Sequence, residues 1–283
     1  TLIILFIFIM QQMGTGKIGK FFGPFMLLWF LMLGTLGSLN IHLCPGIFKA
    51  FNPWWAIKLL CTNPEWFLIL GAVFLCTTGA EALYSDLGHC GRKNISVSWI
   101  FVKIMLILNY LGQGAWLLSS HKDAGINPFY GIMPEWFTFI GVIMSTGAAI
   151  IASQALLSGS FTIFSEAMNL VLWPKLKIKY PSREKGQLYI PAVNWALLAG
   201  CLLTVLIFRD SSHMEAAYGL AITITMLMTT VLLTFYLHSL NVNIVICSAF
   251  IIFFGIIEGV FFIANLFKFT DGGWFSILIA GIV

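Results

Sequence analysis

Two of the eleven acidic residues, Glu81 and Glu258, lie well inside long apolar runs. A carboxylate at mid-membrane depth costs at least about 2.5–3.5 kcal/mol on insertion scales, so such a residue faces a cavity or a partner. Glu81 has the richer setting, Thr77-Thr78-Gly79-Ala80-Glu81-Ala82-Leu83-Tyr84-Ser85-Asp86-Leu87-Gly88. On a helix, Thr78, Glu81 and Ser85 share one face at i, i+3 and i+7, with Tyr84 beside them. Gly79 adjoins the acid and can let the helix open there. Freed backbone carbonyls at mid-membrane are a cation-coordinating device of transporters. Hydroxyls, carbonyls and one carboxylate make a hard-oxygen site suited to a cation. The ordinary alternative is a glutamate bonded to a neighbouring helix as structural glue.

Other polar groups within apolar runs carry weaker signals. Glu258, in Gly255-Ile256-Ile257-Glu258-Gly259, lacks polar companions within one turn, and helix packing or an interfacial position is its ordinary reading. Asn109 and Gln113 lie four apart on one face, where amides commonly bond across helices. Gly112 and Gly114 beside them permit close helix approach. Ser153 and Gln154 repeat the small-plus-polar pattern, and packing is the favoured account. Tyr218, Thr225 and Thr229 share a face, the threonines being expected to satisfy their own helix backbone.

Several chemistries lack their residues. His42, His89, His121, His213 and His238 are scattered near the ends of apolar runs, with no HExxH pair. Neither a Walker GxxxxGK[ST] sequence nor a GxSxG elbow occurs. The six cysteines form no CxxC pair, and no disulfide, metal site or cofactor is expected. An enzyme is not indicated.

The elements that must hold these groups follow from composition. Of 283 residues, 59% are hydrophobic and only 9% charged, with a mean hydropathy of +0.95. Soluble domains carry about 25% charged residues. So little charge cannot coat a water-exposed surface, and the expected class is an all-α integral membrane protein, a polytopic helical bundle. The net charge of +4 is dispersed in the gaps between apolar runs, which speaks for topology signals and against nucleic-acid binding.

Nine apolar segments emerge, approximately 1–13, 21–43, 66–84, 100–118, 136–157, 190–208, 216–237, 242–266 and 273–283. A spanning helix needs about 20 apolar residues. Seven segments are complete by that measure, and the two terminal ones read as cut, making the chain a piece of a longer one. The stretch 45–63 mixes aromatics with Lys49 and Lys58, as suits the headgroup level. The stretch 161–172 either extends the fifth segment or lies along the interface. Counting Lys and Arg in alternate loops gives nine on one side and five on the other. The excess, mostly in loop 174–186, predicts that side to be cytoplasmic.

The same polar stretches carry a resemblance. Gly79-Ala80-Glu81-Ala82-Leu83-Tyr84-Ser85-Asp86-Leu87-Gly88-His89 resembles a signature of the KUP/HAK/KT potassium uptake family. So do Leu108-Asn109-Tyr110-Leu111-Gly112-Gln113-Gly114-Ala115, Ile151-Ala152-Ser153-Gln154-Ala155, the segment from Gly186 to Trp195, and Ala217-Tyr218-Gly219-Leu220-Ala221. The segments occur in the family's order over essentially the whole chain. The resemblance implies about twelve spans with a LeuT-like inverted-repeat core of ten, of the APC superfamily, this chain covering spans four to twelve. It implies potassium entry coupled to proton entry. Residue by residue, Thr78 and Glu81 match cation-site positions on span six, Tyr218 a tyrosine on span ten, and Glu258 an acid on span eleven. Leu188 and Cys90 depart from the family's common residues without touching the site.

The expectation is therefore a single transmembrane transporter domain, 1–283, of a secondary transporter that symports potassium and protons. Thr78, Glu81 and Tyr218 bind the ion or couple the proton, with Tyr84, Asn109, Gln113 and Glu258 in support. The expected partners are potassium, protons and the lipid bilayer, in the cell membrane of a bacterium, with a homodimer left open. The rivals are an amino-acid or polyamine transporter of the same superfamily and a potassium channel. A channel would need a filter such as TVGYG, which is absent.

Overall fold

In hydrocarbon no water is available to backbone N–H and C=O groups, so an open chain must pair them within each segment, as a helix. The computed structural model follows that rule. It describes residues 2–13, 16–76, 78–79, 92–119, 126–180 and 188–282. Among these the elements are helical throughout, apart from an isolated antiparallel bridge between Lys179 and Tyr189.

The chain begins with α1 (Leu2–Met10), tightened at its end into a 3-10 turn over Gln11–Met13, and α2 (Gly16–Ile41). A 3-10 stretch, Pro45–Phe51, and α3 (Pro53–Thr62) follow, with no buried residue in either. Their exposed Phe48, Phe51, Trp54 and Trp55 fit the headgroup level expected for 45–63. Next come α4 (Trp66–Leu75), α5 (Arg92–Ser119), the single turn α6 (Pro128–Gly131) and α7 (Glu135–Asn169). The final elements are α8 (Pro191–Phe208), α9 (Ser211–Ser239), α10 (Ile244–Leu266), a π-type turn at Phe269–Gly273 and α11 (Trp274–Ile282).

Six described helices are long and apolar enough to cross a membrane, the long apolar parts of α2, α5, α7, α8, α9 and α10. They match six of the seven complete segments. Of the seventh, expected over 66–84, the described residues show a helix over Trp66–Leu75, as α4, while residues 77 and 80–84 lie outside the described residues. Helix α7 runs twelve residues past the apolar segment, so stretch 161–172 largely extends the fifth span. Short caps punctuate the chain: Asn127, Asp210 and Asn243 each accept a bond from the backbone N–H two residues on, at 3.0, 3.3 and 3.0 Å.

The Cα traces cluster into two compact units. The first comprises Thr1–Trp55 and Ala80–Gly200. Its tightest crossing is α2 on α5, where a Cβ at Gly37 would overlap the backbone of Leu108 and Asn109, and one at Gly112 the backbone of Gly37. Two clusters fill this unit, Met32, Leu33 and Leu36 with Ile132 and Met133, and Phe161 and Met168 with Tyr189, Ile190 and Val193. The second unit comprises Ala56–Gly79 and Cys201–Val283, in which α9 packs along α10 and the π-type turn and α11 fold back on α9.

Candidate functional site

Helix α4 is apolar throughout, WFLILGAVFL, yet it stops within a longer apolar run. Cys76 N–H reaches back to Val73 O at 3.0 Å and Thr78 Oγ1 donates to Leu75 O at 2.8 Å, both closing the last turn. Gly79 follows at φ +110°, a conformation that glycine adopts without steric cost. The helix therefore opens ahead of Gly79, at Leu75. Thr78 lies beyond the helix end, so the expected helical face joining it to Glu81 and Ser85 does not exist at Thr78. Glu81, Tyr84 and Ser85 are outside the described residues. The Thr78 hydroxyl spends its proton on Leu75 and keeps its lone pairs as acceptors.

Helix α10 seats α4 in antiparallel register. Phe67 meets Phe267 edge-on at 5.4 Å between ring centroids, and Phe74 meets Phe261 at 5.0 Å. Between these rings a Cβ at Gly71 would lie 3.6 Å from Ala264. The end of α4 is thus placed within one turn of the level of Glu258. Leu75 also lies against Gly219 of α9, the neighbour of Tyr218. The second unit accordingly brings the interrupted end of α4 to the Tyr218–Gly219 step. Tyr218 itself is 49% exposed.

Between α9 and α10 runs a buried polar seam. Thr230 Oγ1 donates to Glu258 Oε1 at 2.7 Å, and Glu258 Oε2 has no partner among the described residues. Seven residues away on each helix sit Thr223 and Asn265, both fully buried. Thr223 Oγ1 donates to Gly219 O at 3.1 Å and Leu220 O at 2.9 Å. Asn265 Nδ2 donates to Phe261 O at 2.9 Å, while its Oδ1 abuts Gly219 and has no partner among the described residues. Glu258 thus has the helix-packing contact of its ordinary reading. Thr225 and Thr229 donate to Ala221 O and Thr225 O at 3.0 and 2.8 Å, as expected of threonines serving their own helix. Asn265, Thr223 and Thr230 were missed in the sequence reading. Asn265 was detectable as an amide two turns from Glu258 on one face.

The remaining candidates belong to the first unit. Asn109 is buried and its Oδ1 has no partner among the described residues, and Gln113 is half-buried. Ser153 serves its own helix, donating to Ala149 O at 2.9 Å. Gln154 accepts from Gln11 Nε2, and Asn194 Nδ2 donates to Phe8 O at 3.3 Å. These amides tie α7 and α8 to the α1 segment.

The chain has close counterparts in sequence among known proteins. The model of the K+ potassium transporter integral membrane domain matches residues 1–283. The chain belongs to that family. It is 55% identical over 285 residues to a protein of Flavobacterium psychrophilum described as a probable potassium transport system protein Kup, covering 98% of this chain and 44% of that protein. Proteins of the same description match in Cytophaga hutchinsonii, 54% over 289 residues, and in Streptococcus agalactiae serotype III, 55% over 282 residues. These alignments cover 99% and 98% of the chain and 44% and 42% of the relatives. The chain thus spans less than half the length of the curated relatives it matches. No solved structure matches it.

Proposed function

We propose that the full-length protein is a secondary active transporter that takes up potassium ions together with protons, through a single membrane domain with a LeuT-like inverted-repeat core. The observation that carries this reading is the interruption of an apolar span at Leu75–Gly79, immediately before Glu81. Family membership supports potassium as the substrate. Potassium is large and weakly hydrated, so neutral oxygens such as Thr78 Oγ1 and freed carbonyls can replace its water shell. Glu81 then balances the charge or carries the proton, Tyr218 faces the same step of α9, and Tyr84, Asn109, Gln113 and Glu258 act in support. Loop 174–186 is assigned to the cytoplasmic side of the cell membrane by its charge.

Uptake of potassium in cells lacking their own uptake systems tests this. A charge-assisted contact is worth about 1.5–3 kcal/mol, so Glu81→Gln lowers uptake at least about tenfold at equal expression. If Glu81 carries the proton, the residual uptake also loses its pH dependence; if it only ligates, apparent affinity falls and the pH dependence stays. Thr78→Ala removes one neutral oxygen, about 1 kcal/mol, and weakens apparent affinity about fivefold. Normal uptake with a normal pH response in Glu81→Gln sinks the site assignment.

A further inference from the structure

The connection between α7 and α8 has a built face that the transport reading does not use. After α7, the chain Pro174-Lys175-Leu176-Lys177-Ile178-Lys179-Tyr180 runs extended. In an extended chain successive side chains point to opposite faces. Here Leu176 and Ile178 pack against the cluster of Phe161, Met168, Tyr189, Ile190 and Val193, while Lys175, Lys177 and Lys179 are exposed. The segment is pinned at both ends. Leu176 N–H points at Met168 Sδ at 3.1 Å, and Lys179 and Tyr189 exchange two backbone bonds at 2.8 and 2.9 Å. The lysines are thus a fixed ridge rather than a loose tail.

Their position follows from the helices on either side. Both α7 and α8 are long and apolar enough to span, and Tyr189, the partner of Lys179, lies two residues before Pro191, where α8 begins. Lys179 therefore stands at the mouth of a span. The ridge extends about 13 Å from Lys175 to Lys179, comparable to the ~8–10 Å screening length at physiological salt, so its charges act on one charged layer together. Among the described residues none of the three is in an ion pair. Burial pushes the Tyr189 phenol above its ordinary range, so the charge is that of the lysines. The sequence adds Arg183 and Lys185 against one acid, Glu184. Basic clusters next to a span attract anionic lipid.

We infer that Lys175, Lys177 and Lys179 form a docking ridge for the headgroups of anionic phospholipids in the leaflet on their side. Leu176 and Ile178 hold it in place, and it is independent of the ion site. The test uses the full-length protein in phosphatidylcholine vesicles with spin-labelled phosphatidylglycerol and spin-labelled phosphatidylcholine as probes. The readout is their relative association with the protein.

The wild-type protein prefers phosphatidylglycerol, and the preference shrinks as salt is raised. The triple variant Lys175→Gln, Lys177→Gln, Lys179→Gln reduces it at least about threefold, and the corresponding triple Arg variant restores it. An unchanged preference in the Gln variant overturns the inference, as does an equal loss in Lys49→Gln, Lys58→Gln. Removal of the wild-type preference by soluble pyrophosphate at matched ionic strength also overturns it, assigning the ridge to a soluble anion.

Discussion

Thr230 supplies the hydrogen bond that Glu258 receives inside the α9–α10 seam, so its hydroxyl matters out of proportion to its size. Thr230→Val keeps the shape, leaves the buried carboxyl without that donor and costs about 1–3 kcal/mol. Thr230→Ser keeps the donor and stays near wild type. Thermal unfolding of the detergent-solubilised protein reads both, and equal stability of the Val and Ser variants would show the bond to be idle. Glu258→Gln keeps an acceptor for Thr230 and separates packing from transport: a stable protein with reduced potassium uptake would mark a supporting role at the site. At this scale the sequence was legible for Thr225 and Thr229, whose hydroxyls serve their own helix as expected. It was not legible for Asn194 or Gln11, whose contacts lie in other elements and leave no local pattern.

The α2–α5 crossing shows how little side chain an element boundary tolerates. A Cβ at Gly112 would overlap the Gly37 backbone, which cannot step aside, whereas one at Gly114 would meet only Ile47 Cδ1 at 2.9 Å, the flexible end of a side chain. Overpacking of this kind costs about 1–3 kcal/mol. Gly112→Ala should therefore cost about 2 kcal/mol or more and Gly114→Ala clearly less, as read by thermal unfolding and by the folded yield on size exclusion. The reverse order would show the crossing to be looser than drawn. The elements themselves were largely readable, because runs of 18 or more apolar residues leave a helix as the outcome. Two ends were not. Helix α4 stops at Leu75 although Cys76, Thr77 and Thr78 are all compatible with a helix in sequence, its last turn being closed by Cys76 N–H and Thr78 Oγ1 ahead of Gly79. Helix α7 continues through Ser158, Ser160 and Thr162, and the hydroxyls of Ser160 and Thr162 are accommodated by donating to carbonyls four residues back.

For the molecule as a whole, orientation is the open quantity, and it rests on charge. A cysteine at Ser182, in a background without native cysteines, should react with a membrane-impermeant thiol reagent only from the cytoplasmic side. Labelling from outside intact cells would invert the topology and the span register inferred with it. The background matters because Cys44 and Cys61 are assigned to the outer side by the same count. Helix α7 adds a mechanical consequence. Its 35 residues reach roughly 52 Å, against a hydrocarbon layer of about 30 Å. It contains no proline and runs unbroken from Glu135 to Asn169. A rod longer than the layer is thick fits by leaning or by carrying its end into the headgroup zone, where Trp173, Leu176 and Ile178 brace it. The lean of α7 is therefore tied to bilayer thickness: a thinner layer asks for more tilt of this one stiff rod, a thicker one for less.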